Sequence, residues 1–168
     1  NMTEHAERPS RGVDAVRHAR HLRLEEIGPD GQARLGSASV AVVGAGGLGC
    51  PVLLYLAAAG VGRLTVIDDD VVSLSNLQRQ VIYRTDDVGR SKAEVAAERV
   101  LALDPGLDVQ VHVARLSPDN ALGVLGNHDL VIDGTDLIPA RYLIDDTCAI
   151  LGTPWIHASV HRFEGRLA

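Results

Sequence analysis

Two mainly apolar runs, at residues 38–43 and 64–67, each broken only by one small hydroxyl residue (Ser39, Thr65), frame a glycine cluster and a segment, 52–59, that carries no charge. Runs of that kind and length read as parallel strands covered on both faces. The uncharged segment reads as a helix buried against the sheet or against another subunit. Pro51 suits its first turn, where a missing N–H costs nothing, and Gly60 and Gly62 end it. Further on, Ala93, Ala96, Ala97, Val100 and Leu101 recur at helical spacing after Arg90-Ser91-Lys92 and stop at Asp104-Pro105-Gly106. Val109, Val111 and Val113 alternate with polar residues, which predicts a strand covered on one face near the sheet edge. A short helix over 120–125, a buried strand at 130–132, a helix over 140–151 opened by Pro139 and a strand over 154–159 follow. Strands alternating with helices predict an α/β fold: a Rossmann-like, doubly wound, mainly parallel sheet.

The flanks carry weaker patterns. Residues 1–13 are polar, contain Pro9 and Gly12 and lack periodicity, so a disordered tail is expected, with Asn1 before Met2 as a tag remnant. From Asp14, the positions of Ala15, Ala19, Leu22 and Ile27 predict an N-terminal helix that Gly28-Pro29 stops, with Arg17, Arg20 and Arg23 on its solvated side. Residues 28–31 are expected to turn, and 32–35 to form a short helix or coil. At the far end Glu164-Gly165 predicts a hairpin turn, and 166–168 the first residues of a returning strand. The expectation is one domain, residues 14–168, truncated at its C-terminal end.

Composition narrows the function classes. A formal charge of −6 and a pI near 5.6 speak against a general nucleic-acid binder, which would carry a basic stripe. No apolar run approaches the ~20 residues that span a bilayer, and no signal-peptide pattern opens the chain, so a cytoplasmic protein with no membrane partner is expected. Cys50 and Cys148 are the only cysteines and have no metal spacing. Each reads as a small buried hydrophobe, with Cys50 at a helix start, where a thiolate would be stabilised. His112, His128, His157 and His161 have no ligand spacing either.

The chemistry gathers around the first strand. A strand feeding Gly44, Gly46 and Gly49 into a helix sets backbone N–H groups and the positive helix end where a phosphate can sit. Asp68, about 20 to 25 residues beyond the first glycine, stands where a carboxylate accepts from a ribose hydroxyl. A dinucleotide fold would then start a helix almost at once. Here some 20 aperiodic residues intervene, and stretches of about that length in a compact domain are functional or disordered. This one carries Asn76 and Arg79, and Lys92 opens the helix after it. Strand ends share one rim of a doubly wound sheet, so Asp68, the 76–79 loop and Asp136 can converge there. Extra cations beside phosphates suit a triphosphate about to lose pyrophosphate, because charge builds on the leaving group.

Taken together, RHAR at 17–20, VVGAGGLGCPVLLYLAAAGVG at 42–62, DDDVVSLSNLQRQ at 68–80, VGRSKAE at 88–94, DGTD at 133–136 and the HRFEGR segment resemble the ThiF/MoeB/HesA proteins, bacterial relatives of ubiquitin-activating enzymes. The resemblance implies adenylation of the C-terminal glycine of a ubiquitin-like sulfur-carrier protein, with ATP and Mg²⁺, releasing pyrophosphate for molybdopterin, thiamine or cysteine biosynthesis. It implies that Gly44, Gly46 and Gly49 bind the nucleotide, that Asp68 binds the ribose, and that Asn76, Arg79 and Lys92 contact the phosphates. Asp136 is implied as the residue that holds Mg²⁺ or organises attack at the α-phosphate. Arg20 is implied to reach a neighbouring subunit's ATP site, which makes a homodimer, with Arg17 nearby. Leu137 departs from the pattern by replacing the asparagine that commonly follows DxTD. The family's later half, with two Cys-x-x-Cys zinc pairs, is not represented, so Zn²⁺ is expected only in such a further part.

Two other readings use the same residues. One is a relative that activates a small molecule or a tRNA base, as cyclic threonylcarbamoyladenosine enzymes do. The other is an NAD-dependent oxidoreductase or nucleotide sensor, for which the glycines and Asp68 suffice, but which gives Asn76, Arg79 and Lys92 no work.

Overall fold

The computed structural model describes residues 12–168. Of the tail expected over residues 1–13, residues 1–11, with the tag remnant, lie outside the described residues. Six strands form one sheet: β1 (Ser39–Val43), β2 (Arg63–Ile67), β3 (Asp108–His112), β4 (Leu130–Asp133), β5 (Trp155–His161) and β6 (Glu164–Leu167), in the order β3-β2-β1-β4-β5-β6. The first five run parallel, and β6 is antiparallel to β5. This is the doubly wound fold the alternation predicts, with the order reversing between β1 and β4.

Helices α1 (Gly28–Ser37), α2 (Gly49–Ala59), α3 (Lys92–Leu103), α4 (Ala121–Leu125) and α5 (Ile138–Leu151) complete it. Every residue of β1 is buried, and its pleat divides the core. Val40 and Val42 pack with Leu53, Leu64, Val66, Val95 and Val100 on the side of α2 and α3. Ala41 and Val43 pack with Ile67, Leu125, Val131, Ile144 and Cys148 on the side of α4 and α5. Fully burying one such side chain stabilises a fold by about 1.5–3 kcal/mol, so β1 is held from both layers. The uncharged helix buries only one face, through Cys50, Leu53 and Ala57, while Tyr55 is exposed. Among the described residues no helix is long and apolar enough to cross a membrane.

Two local expectations are corrected. The helix from Asp14 to Ile27 does not form: residues 15–20 are turns, a 3₁₀ turn covers His21–Arg23, and Leu24 is extended. Gly28-Pro29 starts α1 instead of stopping a helix, because proline's fixed φ suits a first turn as well as it prevents an interior one. The C-terminal hairpin turns at 162–163, with Arg162 at φ 57°, and Glu164 and Gly165 already lie in β6 opposite His161 and Val160.

The aperiodic segment after β2 is ordered. It contains 3₁₀ turns at Leu74–Asn76 and Thr85–Asp87, and a bridge between Val71 and Ser91 closes it. Buried Asp87 holds it to α3, accepting from the Arg84 N–H and from the guanidinium groups of Arg90 and Arg99.

Candidate nucleotide site at the strand rim

At the end of β1 the ladder continues on both sides: the Gly44 N–H donates to the Ile67 carbonyl at 2.8 Å, and the Gly134 N–H to the Val43 carbonyl at 2.9 Å. The ends of β1, β2 and β4 therefore meet at one point, beside the reversal of strand order where ligands of such sheets bind. Gly44 sits at φ 90°, and a Cβ there would meet the Gly134 carbonyl oxygen at 3.0 Å. A Cβ on Gly49 would overlap the Gly44 carbonyl. These two glycines are dictated by backbone packing. Gly46 is not: the nearest atom to its Cβ would be Gln80 Nε2, 3.7 Å away. The absence of a side chain there keeps open the space above the turn, and no side chain caps the α2 N-terminus beside it.

Ala45, inside this turn, is gripped through both of its backbone polar groups. Its N–H donates to Asp68 Oδ2 at 2.7 Å, and its carbonyl accepts from the Tyr83 hydroxyl at 2.7 Å and from Cys50 Sγ at 3.3 Å. Asp68 Oδ1 also accepts from the Asp70 N–H. Burial raises the pKa of Asp68 above the ordinary value, against the pull of these two N–H groups. Both cysteines are buried, as expected of small hydrophobes, and burial pushes the Cys50 thiol up to about 11, so its place at the helix start does not favour the thiolate. Cys148 is likewise raised by burial to about 11.

The cations come from the ordered loop and from α3. The Asn76 carbonyl accepts from the Arg79 and Gln80 N–H groups, folding the loop back over the glycines. A Cβ built on Gly47 would lie 3.5 Å from Arg79 Cδ, so the stem of Arg79 crosses directly above the turn while the residue stays exposed. Lys92 is buried, and its ammonium pairs with Asp70 Oδ2 at 2.9 Å. Thus Gly44, Gly46, Gly49, Asp68, Asn76, Arg79 and Lys92 share the rim between β1, β2 and α3.

Across the reversal point, Asp136 is exposed just beyond β4, and Leu137 stands uncapped before α5. Asp133 is fully buried and structural: Oδ1 accepts from the N–H and hydroxyl of Thr135, and Oδ2 pairs with His157 Nδ1 at 2.9 Å. Among the described residues no group of three or more His, Cys, Asp or Glu side chains can hold a metal ion. Arg20 is exposed, and among the described residues no hydrogen bond or ion pair joins it to the rim. Arg17 instead donates to the Leu103 carbonyl at 2.9 Å, satisfying the C-terminus of α3.

Sequence reasoning missed Tyr83, Asp70 and His157. Tyr83 lay in an apolar Val-Ile-Tyr run with no chemical signature. Asp70 was one of three consecutive acids, and His157 had a partner 24 residues away.

Known proteins similar to this chain in sequence and in fold are numerous. The chain is 50% identical over 153 residues to the probable adenylyltransferase/sulfurtransferase MoeZ of Mycobacterium tuberculosis, covering 91% of this chain and 39% of that protein. It is 50% identical over 152 residues to the sulfur carrier protein adenylyltransferase of Thermus thermophilus, covering 90% and 56%. The chain thus spans between about two fifths and just over half the length of these relatives. The E. coli tRNA N6-threonylcarbamoyladenosine dehydratase TcdA, solved in complex with ATP, superposes with a TM-score of 0.81 at 31% identity, over 85% of this chain and 58% of that one. The profile of the ThiF family matches residues 18–168, and the chain belongs to that family.

Proposed function

We propose that this chain is the nucleotide-binding part of an ATP-dependent adenylyltransferase of the ThiF/MoeB type, which activates the C-terminal glycine of a ubiquitin-like sulfur-carrier protein. The observation that carries the reading is Arg79 laid over an open glycine turn whose flank is closed by Asp68 and Lys92. A dinucleotide site seldom needs extra cations near its phosphates. The 50% identity to a sulfur carrier protein adenylyltransferase supports the same choice.

In this reading the rim amides and the α2 N-terminus receive the phosphates, and Asp68 accepts from the ribose. The carrier's terminal carboxylate oxygen bonds to the α-phosphorus as the bond from that phosphorus to the bridging oxygen breaks. Both bonding electrons leave with pyrophosphate. Asn76, Arg79 and Lys92 are assigned in this reading to stabilising the charge that gathers on the departing group. Mg²⁺, when bound, neutralises phosphate charge as a Lewis acid, and such an ion uses one or two carboxylates plus phosphate oxygens. Asp136, exposed just beyond β4, suits that duty. Arg20, exposed and away from its own rim, suits a site completed in trans within a homodimer.

The test is ATP–pyrophosphate exchange by the full-length protein mixed with candidate carriers. Carrier-dependent exchange is expected. Exchange with a small molecule or tRNA in place of any carrier would favour the second reading, to which the likeness to TcdA lends weight. Tight NAD binding without ATP competition would overturn both.

A further inference from the structure

Tyr83 lies in the ordered loop four residues beyond Arg79, and it touches both the glycine turn and the start of α3. It is 6% exposed, and its ring packs in the core with Val72, Ile82 and Ala93. Its hydroxyl is 2.7 Å from the Ala45 carbonyl and 3.2 Å from the Lys92 carbonyl. One proton serves two acceptors, one in the phosphate-facing turn and one at the first residue of α3. A core packing role needs no hydroxyl, and burying an unpaired one would be costly.

We propose that Tyr83 is a positioning residue that sets the separation between the phosphate-cradling turn and the α3 end that carries Lys92. The inference rests on the ATP-adenylation reading. Asp68 holds the Gly44–Ala45 peptide by its N–H and Tyr83 holds the Ala45–Gly46 peptide by its carbonyl, so the planes on both sides of the Ala45 Cα are fixed, and the second of them sets the direction of the Gly46 amide. The same hydroxyl ties that plane to the Lys92 backbone, while Asp70 fixes the ammonium at the other end of the side chain. Releasing the tie lets the turn and Lys92 move independently, and small displacements of charge-stabilising groups lower the rate of the reacting step more than they weaken ground-state binding.

Tyr83→Phe keeps the ring and removes the tie. In the full-length protein, ATP–pyrophosphate exchange with its carrier should fall in kcat by about tenfold or more, with the ATP dissociation constant changed less than about threefold and the thermal midpoint by no more than a few degrees. A merely structural hydroxyl would lower the midpoint and leave kcat per folded enzyme unchanged, and that result overturns the inference. Equal kcat with equal stability overturns it as well. Absence of exchange in the unsubstituted protein removes the adenylation reading and this inference with it, which sets that failure apart from failure of Tyr83 alone.

Discussion

Lys92 is joined to Asp70 twice: its ammonium pairs with Asp70 Oδ2 at 2.9 Å, and its backbone N–H donates to the Asp70 carbonyl at 3.0 Å. The two ends of the pair differ, since the lysine side chain is 6% exposed and the aspartate side chain 65%. Without nucleotide, Asp70 is the counter-charge of a cation that the proposed reaction directs toward phosphate. Asp70→Asn should therefore destabilise the free protein by about 1–2 kcal/mol, less than a fully buried pair because one partner is solvated. Saturating ATP should shrink that difference, since the triphosphate then supplies the counter-charge. Urea unfolding of both proteins with and without ATP reads the effect, and an equal difference in the two conditions would refute it.

The glycines divide into packing and access positions. Gly49→Ala places a Cβ in the Gly44 carbonyl, backbone against backbone, and should cost about 3 kcal/mol or more, or abolish soluble expression. Gly46→Ala meets only Gln80 Nε2 at ordinary contact distance and should change stability by less than about 1 kcal/mol. It should nevertheless weaken ATP binding about tenfold, because the added methyl stands over the turn. Chemical denaturation and nucleotide titration of the two variants together check the division.

Asp87 makes the ordered loop acid-sensitive. Burial alone would raise its pKa, but the Arg84 N–H and the Arg99 and Arg90 guanidinium groups outweigh that and hold it below the usual carboxylate range. A carboxyl with a lower pKa folded than unfolded gives its full stabilisation above the unfolded value, about 3.9, and loses it as pH falls through the folded value. Asp87→Asn should cost about 2 kcal/mol or more at neutral pH and flatten the stability profile below about pH 4. Parallel slopes for the two proteins under acid would contradict this.

The two arginines of the N-terminal segment should separate cleanly. Arg17→Ala removes the bond to the Leu103 carbonyl and should lower stability by about 0.5–1.5 kcal/mol with little effect on nucleotide exchange. Arg20→Ala should leave stability unchanged and abolish exchange. Mixing it with an Arg79→Ala protein should restore part of the activity if sites are completed across a homodimer, and no recovery would count against composite sites.

The centre of the sheet was legible because β1, β2 and β4 are buried from both sides. Runs such as Val40-Ala41-Val42-Val43 admit no other assignment beside a glycine turn, and the alternation at Val109 to Val113 marked β3 as the edge it occupies, although the covered face expected there is corrected, since Val111 and Val113 are exposed. The segment from Asp14 to Ile27 misled because apolar spacing does not report which face finds a partner. His18 is buried there while Val16 is exposed. The glycines, Asp68, Arg79 and Lys92 carry signals that are local in sequence. Tyr83 does not, since its importance lies in two carbonyls, one of them 38 residues away. The pairing of Asp133 with His157 was hidden for the same reason.

Setting β1 between β2 and β4 also has a kinetic meaning. The glycine turn follows β1, Asp68 follows β2 and Asp136 follows β4, so the three adjoin only after two parallel crossovers have closed, and such non-local pairings form slowly. A chain with either neighbour unformed cannot assemble this rim. In the proposed reading, affinity for ATP is then also a measure of completed folding, and a nucleotide present during refolding should draw the population toward the finished sheet.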